Sequence, residues 1–263
     1  MGESITLSDP SRDTPARGNV PGHSGRTLVT VIRRPLGLGG PLPLVVFAHG
    51  WNSNPEVYES LLDTWAAAGF LVAAPTFPDS ASTLPGAPIS DYPQQAGDMS
   101  FVITSLLGGV AGPVDTARIA VAGHSDGGTD VALMALNPQY HDPRVRAYVS
   151  LSGEIPAGLE GPWGAPFQGA LLVAVGTADE YGLLSRSLAV FQAAEMPKAL
   201  LTLAGGDHLT TFIGPGAAEV TMRDDTVRFL DAVFSSPGTT ASQLQAALTP
   251  TGDPALALQT GAG

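Results

Sequence analysis

The stretch Ile119-Ala-Val-Ala-Gly123-His-Ser125-Asp-Gly127-Gly128 decides the fold. An apolar run typical of a strand leads into Gly-x-Ser-x-Gly, and a run typical of a helix follows it. A serine on a sharp strand-to-helix turn needs glycines on both sides, because a side chain there would clash. Composition alone yields about 0.3 matches to the five-residue string by chance. The position of the string between strand and helix is therefore what predicts Ser125 as a nucleophile.

Short apolar, β-branched runs alternate along the chain with longer stretches of helical period. This alternation is typical of βα units built around a largely parallel sheet. The predicted strands are residues 26–34, 42–48, 70–74, 118–122, 145–151, 170–176 and 199–203. The predicted helices are residues 58–68, 93–107, 128–136, 183–195 and 224–234. Because the later strands are nearly all apolar, the fold class is α/β, with a mostly parallel central sheet flanked by helices on both faces.

The chain has 263 residues, 44% of them hydrophobic, which is enough for one sizeable core. We expect a single domain over residues 1–236. Residues 237–263 are rich in Ala, Gly, Pro and Thr and predict a low-complexity tail with at most one short helix, near 242–248. The connection 152–169 is too short to hold a large cap domain, so the site is expected to be open.

The net charge of −12 argues against binding nucleic acid or an anionic membrane, because both need basic patches. The absence of cysteine excludes disulfides, a thiolate nucleophile and zinc-thiolate sites. No apolar run reaches the roughly 20 residues of a membrane span, which predicts a soluble protein. The first residues lack the pattern of a secretory signal. Cytoplasmic location and secretion after removal of a signal both stay open, as does the oligomeric state.

Ser125 needs a general base, and the chain offers five histidines. His208 is the predicted base, because it follows a strand at the end where open α/β sheets build their sites. His124 is expected to point to the other side of the turn, and His23 and His141 lie in loops. His49 precedes a glycine expected at the oxyanion site. The alternative for His208 is an ordinary surface histidine in a turn.

An imidazole that accepts the serine proton must be held in one tautomer by a carboxylate on its other nitrogen. Asp179 is the predicted partner, since it follows the strand 170–176 and completes the order Ser, Asp, His. Glu180 is the competing candidate. Asp207 is too close in sequence to reach the far nitrogen of its neighbour, His208.

The tetrahedral intermediate requires an oxyanion hole, usually two backbone N–H groups. The N–H groups of Asp126 and Trp51 are the predicted donors, with Gly50 allowing the close approach of the second loop. The Trp51 side chain is expected either to form one wall of the pocket or to pack. The Asp126 side chain has two interpretations: it favours the helix N-terminus and points away, or it contacts a polar or cationic part of the substrate.

Aromatic side chains near the predicted site are candidates for shaping the substrate pocket. Trp163 and Phe167 lie in the connection 152–169, and Tyr181 follows the predicted acid. Together with Trp51 these are the predicted pocket residues. Plain packing is the alternative for each of them.

These motifs, together with the His49-Gly50-Trp51 loop and the run 68–75, resemble the α/β-hydrolase superfamily over residues 42–234. The chain is most similar to its capless branch of serine esterases, which includes dienelactone hydrolase-like, chlorophyllase-like, platelet-activating-factor acetylhydrolase-like and bacterial cutinase-like enzymes. It departs from that branch in two ways. Polyester-hydrolysing members typically have Met where Asp126 stands, and they carry a disulfide that a cysteine-free chain cannot form. Dienelactone hydrolase itself uses a cysteine nucleophile, so its chemistry is not carried over to this chain.

The resemblance implies a carboxylic ester hydrolase of class EC 3.1.1, acting on a small or polymeric ester without cofactor or metal. Ser125 forms the acyl-enzyme, His208 acts as base and Asp179 orients it. An acyltransferase or a perhydrolase would use the same triad, and a non-catalytic binding module of the same fold is the alternative from another class. Activity is expected to fall as pH drops through roughly 6 to 7, the range in which an ordinary histidine takes up a proton.

Overall fold

Nine strands form one sheet in the computed structural model, which describes residues 3–164, 167–236, 238–248 and 256–262. The spatial order is β1-β2-β4-β3-β5-β6-β7-β8-β9. The strands are β1 Glu3–Asp9, β2 Arg26–Arg33, β3 Leu42–Ala48, β4 Leu71–Pro75, β5 Val114–His124, β6 Ala147–Leu151, β7 Ala170–Gly176, β8 Lys198–Leu203 and β9 Leu256–Gly261.

Strands β3 to β8 run parallel and form the middle of the sheet. Strands β1 and β2 at one edge, and β9 at the other, pair antiparallel to their neighbours. The carboxyl ends of the six parallel strands therefore all lie at one end of the sheet. Polar side chains in the loops that follow these strands are brought together there.

Helices cover both faces of the sheet. One face carries α1 Glu59–Ala67, α5 Thr210–Ile213, α6 Ala217–Ser235 and α7 Ala241–Leu248, and the other carries α2 Tyr92–Leu107, α3 Asp126–Leu136 and α4 Leu183–Ala193. Strand side chains alternate between the two layers, with Val46 facing α2 and α3 while Val45 and Phe47 face α1. Among the described helices, none is long and apolar enough to cross a bilayer.

The predicted α/β fold with a mostly parallel sheet and no large cap is confirmed. All seven predicted strands are present, although several begin or end elsewhere, and β5 starts four residues early. The sequence missed β1 and the short helix α5, and α6 begins at Ala217 instead of residue 224. The buried face of α6 includes the polar residues Arg223, Asp225 and Thr226, so its apolar helical period is weak.

The prediction of at most one short helix after residue 236 needs a correction. Helix α7 is close to the predicted 242–248, but residues 256–261 form strand β9, which pairs with β8 along its whole length. An edge strand has only one neighbouring strand, and helices cover only one of its faces. The strand pattern of β9 in the sequence therefore rests on Leu256 and Leu258. Part of the predicted tail, residues 249–255, lies outside the described residues.

Replacing Leu244 with Ala tests whether α7 belongs to the folded core. Leu244 is fully buried against the layer that holds α6 and β8, so Leu244→Ala is expected to lower the free energy of unfolding by about 2 to 5 kcal/mol. Leu38→Ala removes a mostly exposed side chain and is expected to cost less than about 0.5 kcal/mol. Urea unfolding measures both, and equal midpoints for the two variants would mean that α7 is not part of the core.

Candidate active site

Ser125 occupies a sharp turn between β5 and α3. Its backbone has φ 58° and ψ −121°, a region that side-chain-bearing residues seldom adopt. Its N–H donates to the Leu151 carbonyl at 2.9 Å, which ties the turn to the end of β6. Strained backbone of this kind is found mainly where function requires a particular side-chain direction.

The glycines on either side of Ser125 have no space for a side chain. A Cβ on Gly123 would lie 2.1 Å from the Gly127 carbonyl oxygen, and a Cβ on Gly127 would lie 2.1 Å from that of Ala48. The first turn of α3 thus packs backbone to backbone on β3 and β5. The structure contains the tight turn that the Gly-x-Ser-x-Gly string predicts.

His208 and Asp179 are hydrogen-bonded to each other. The Nδ1 of His208, in the loop after β8, lies 2.7 Å from Oδ2 of Asp179, in the loop after β7, and both side chains are largely buried. The other carboxylate oxygen accepts the Tyr181 N–H at 3.0 Å. A carboxylate accepts a hydrogen bond, so the imidazole carries its proton on Nδ1 and keeps a lone pair on Nε2.

The two alternative carboxylates have other partners. Glu180 Oε2 accepts the backbone N–H of His208 at 3.0 Å, and so holds the loop instead of the ring. Asp207 accepts the N–H groups of Leu209 and Thr210 at the start of α5. Of the three candidates, Asp179 is the one hydrogen-bonded to the His208 ring.

Ser125 and His208 line one cavity of about 660 Å³ at the carboxyl ends of the parallel strands. Trp51 and Tyr181 also line it, and with 52% and 66% of their surface exposed they form its rim. The Tyr181 ring meets the His208 ring edge-on at 4.7 Å between centroids. Two of the four predicted pocket residues are therefore next to Ser125 and His208.

Both segments predicted to form the oxyanion hole flank Ser125. Asp126 is the first residue of α3, and the first N–H groups of a helix have no partner inside that helix. On the other side, a Cβ on Gly50 would lie 3.1 Å from the Ser125 Cβ, so the loop that continues to Trp51 passes directly against Ser125. A side chain at position 50 would require the loop or its neighbours to shift by a few tenths of an ångström.

The Asp126 side chain lies in the cavity lining and is bound by two hydroxyl groups. Ser90 Oγ donates to one carboxylate oxygen and Tyr92 Oη donates to the other at 3.3 Å. Burial raises the pKa of Asp126, and these two hydrogen bonds partly oppose that effect. Ser90 and Tyr92 were not identified from the sequence, since their proximity to Asp126 arises only when the start of α2 packs beside α3.

Trp163 and Phe167 are not among the residues that line this cavity. Trp163 packs against the core layer that includes α3 and α4, and Phe167 stacks on His141 at 3.6 Å between ring centroids. The prediction that they shape the pocket is wrong, because the connection 152–169 leaves the carboxyl end of β6 and must return to the amino end of β7. Its later residues therefore lie towards the opposite end of the sheet.

The other buried histidines near the site make structural hydrogen bonds. His49 Nε2 accepts the Phe77 N–H at 3.0 Å, and burial lowers its pKa to about 4. His124 bonds Tyr58 on one nitrogen and the His208 carbonyl on the other. Tyr58, which lines the cavity, was not identified from the sequence because it sits at the end of a short 3-10 turn without a recognisable motif.

Comparison with known proteins agrees with this architecture. A family model described as chlorophyllase matches residues 23–152, which include β2 to β6 and the Ser125 turn. A solved structure, the ferulic acid esterase from Streptomyces cinnamoneus, aligns over 93% of this chain and 94% of its own, with a TM-score of 0.63 and 20% identity. No curated protein sequence matches the chain. The sheet order, the Ser125 turn and the structural match show an α/β-hydrolase fold.

Proposed function

We propose that this protein is a serine hydrolase that cleaves carboxylic esters, within class EC 3.1.1. The observation that carries the proposal is the 2.7 Å hydrogen bond between His208 and Asp179 at the cavity lined by Ser125. The solved relative is named as an esterase, and the chlorophyllase model covers the segment that contains Ser125. Both similarities support ester cleavage.

In the first step the Ser125 hydroxyl attacks the ester carbonyl carbon, and its proton passes to Nε2 of His208. The carbonyl oxygen becomes an oxyanion, for which the N–H groups of Asp126 and Trp51 are the proposed donors. Asp179 stabilises the imidazolium while it exists and keeps the ring in the orientation that faces Ser125. His208 then gives its proton to the alkoxide leaving group, and the alcohol departs as the acyl-enzyme forms.

In the second step water attacks the acyl-enzyme and His208 removes its proton. The second tetrahedral intermediate collapses, Ser125 regains its proton from His208, and the carboxylic acid leaves. Three carboxylates, those of Asp126, Glu154 and Glu180, line the cavity against one guanidinium, that of Arg186. This balance favours a neutral ester as substrate and repels the anionic product.

An acyltransferase or a perhydrolase would use the same residues. Those reactions need a site that limits the competition from water. Here the cavity has exposed Trp51 and Tyr181 at its rim and no large cap above it, which supports hydrolysis. A rim of this kind fits either a small ester or the surface of a polymeric one.

Replacing Ser125 with Ala tests the proposed function directly. Turnover of p-nitrophenyl acetate and butyrate is expected to fall by at least about a thousandfold, because the variant cannot form the acyl-enzyme. Folding of the variant is checked by circular dichroism. Equal rates from both proteins would contradict the esterase and support a non-catalytic module of the same fold.

Replacing each neighbouring carboxylate in turn tests their different roles. Asp179→Asn removes the acceptor for His208 Nδ1 and favours the wrong tautomer, so kcat is expected to fall by roughly a thousandfold to ten-thousandfold. Glu180→Gln keeps an oxygen that can accept the His208 N–H, so the loss is expected to stay below about tenfold. Equal losses in the two variants would contradict the assignment of Asp179 as the orienting group.

The pH profile tests His208 as the base. A protonated imidazole cannot accept the serine proton, so kcat/KM is expected to fall as the pH is lowered from about 8 to about 5, the range in which histidine can change its charge. Burial lowers the pKa of His49 to about 4 and that of His124 to about 3, so both stay neutral across this range. The acid limb is therefore expected to follow a single protonation. A steeper limb, or full activity well below this range, would contradict the assignment.

A further inference from the structure

A chain of buried hydrogen bonds connects the loop after β3 with the loop that carries His208. The Gly50 N–H donates to Tyr58 Oη at 3.3 Å, and Tyr58 Oη lies 2.9 Å from His124 Nδ1. His124 Nε2 lies 2.8 Å from the backbone oxygen of His208. The Tyr58 and His124 side chains are almost fully buried. This series of hydrogen bonds thus passes through His124, the residue directly before Ser125.

The last acceptor in this series of hydrogen bonds, the His208 carbonyl oxygen, determines which atom carries each proton. A carbonyl oxygen only accepts, so His124 Nε2 must carry the proton that binds the His208 oxygen. Nδ1 of the neutral ring then has a lone pair and accepts the Tyr58 hydroxyl proton, which leaves the Tyr58 oxygen free to accept the Gly50 N–H. Every donor in the chain points the same way, and hydrogen bonds aligned in this manner polarise and strengthen one another.

The charge state of each member agrees with this assignment. Burial raises the pKa of Tyr58, so the phenol keeps the proton that it donates. Burial, and then the neighbouring His208, lower the pKa of His124 to about 3, against a smaller opposite effect of Asp179. The His124 and His208 rings lie 4.6 Å apart between centroids. A neutral His124 lets His208 take up a proton without a second cation beside it.

We propose that Tyr58 and His124 are positioning residues that hold the Gly50–Trp51 loop in register with the loop of His208. This inference rests on the proposed function. The Gly50 N–H donates to Tyr58 Oη, and a Cβ added to Gly50 would lie 3.1 Å from both Tyr58 Oη and Ser125 Cβ, so this loop passes close to both residues. Loss of the Tyr58 hydroxyl frees the Gly50 N–H and displaces the Gly50–Trp51 loop relative to Ser125. Tyr181, on the other side of the cavity rim, is held by the Asp179 carboxylate and is not moved by that change.

The chain provides a matched control for the loss of a buried tyrosine hydroxyl. Tyr148 on β6 is fully buried, and its Oη lies 3.2 Å from Nδ1 of His141. This second tyrosine–histidine pair is not among the groups lining the Ser125 cavity. Tyr148→Phe therefore deletes a tyrosine–histidine hydrogen bond like that between Tyr58 and His124, while only Tyr58→Phe also deletes the bond to the Gly50 N–H.

Kinetics of the two variants on p-nitrophenyl butyrate separate positioning from stability. Tyr58→Phe is expected to lower kcat by about 10- to 100-fold with KM within twofold of the wild-type value. Tyr148→Phe is expected to leave both constants within about twofold of wild type, with a similar loss of thermal stability. If the wild type is active and the two variants share the same kcat, the positioning role is overturned.

The affinity for a trifluoromethyl ketone inhibitor tests the oxyanion hole directly. Ser125 Oγ adds to the ketone carbon, its proton passes to His208, and the ketone oxygen becomes an oxyanion. Affinity for this inhibitor is expected to weaken in Tyr58→Phe by the same factor as kcat/KM, and to stay unchanged in Tyr148→Phe. Unchanged affinity in Tyr58→Phe would overturn the proposal.

NMR of the wild-type imidazole nitrogens tests the hydrogen-bond direction without any variant. His124 is expected to show the Nε2–H tautomer and no titration between about pH 5 and 8. A proton on Nδ1, or titration within that range, overturns the proposal even if Tyr58→Phe does not fold. A wild type that neither hydrolyses esters nor binds the ketone would contradict the proposed function instead, while the NMR result would still decide the hydrogen-bonded chain.

Discussion

Backbone contact at the Ser125 turn is the constraint on which the site depends. The first turn of α3 approaches the Ala48 carbonyl so closely that Gly127 has no room for a Cβ, and Gly123 meets the same limit against Gly127. This contact fixes the direction of α3, and with it the N–H groups at the start of the helix. It also brings the loop after β3 against Ser125, where a Cβ on Gly50 would lie 3.1 Å from the Ser125 Cβ.

His208 is fixed to the same framework through its backbone as well as its ring. Asp179 binds the ring, Glu180 binds the N–H and His124 binds the carbonyl, so the loop after β7 and the end of β5 both hold the residue that the loop after β8 carries. A histidine held only by its ring would sample several positions relative to Ser125. In the proposed reaction, such placement would contribute to the rate because the reacting atoms need no further ordering.

Local features of the sequence were enough to predict much of the fold and of the candidate site. The turn at Ser125 is encoded by Gly123 and Gly127 on either side of it. Asp179 and His208 directly follow apolar strands, so their meeting at one end of a parallel sheet follows from topology. The partners of Glu180 could not be predicted, because they depend on distances across the sheet. The prediction misplaced Phe167, because the sequence does not show at which residue the connection 152–169 has reached the opposite end of the sheet. Strand β9 was missed because its pattern is that of a half-covered edge.

The position of β9 has a consequence for synthesis of the chain. Its partner, β8, ends at Leu203, and helices α5 to α7 are made before residues 256–261 leave the ribosome. Until then the outer edge of β8 presents unpaired N–H and C=O groups beside an apolar layer. Nascent chains of this protein thus pass through a stage in which they can pair edge to edge, and slow elongation late in translation would prolong it.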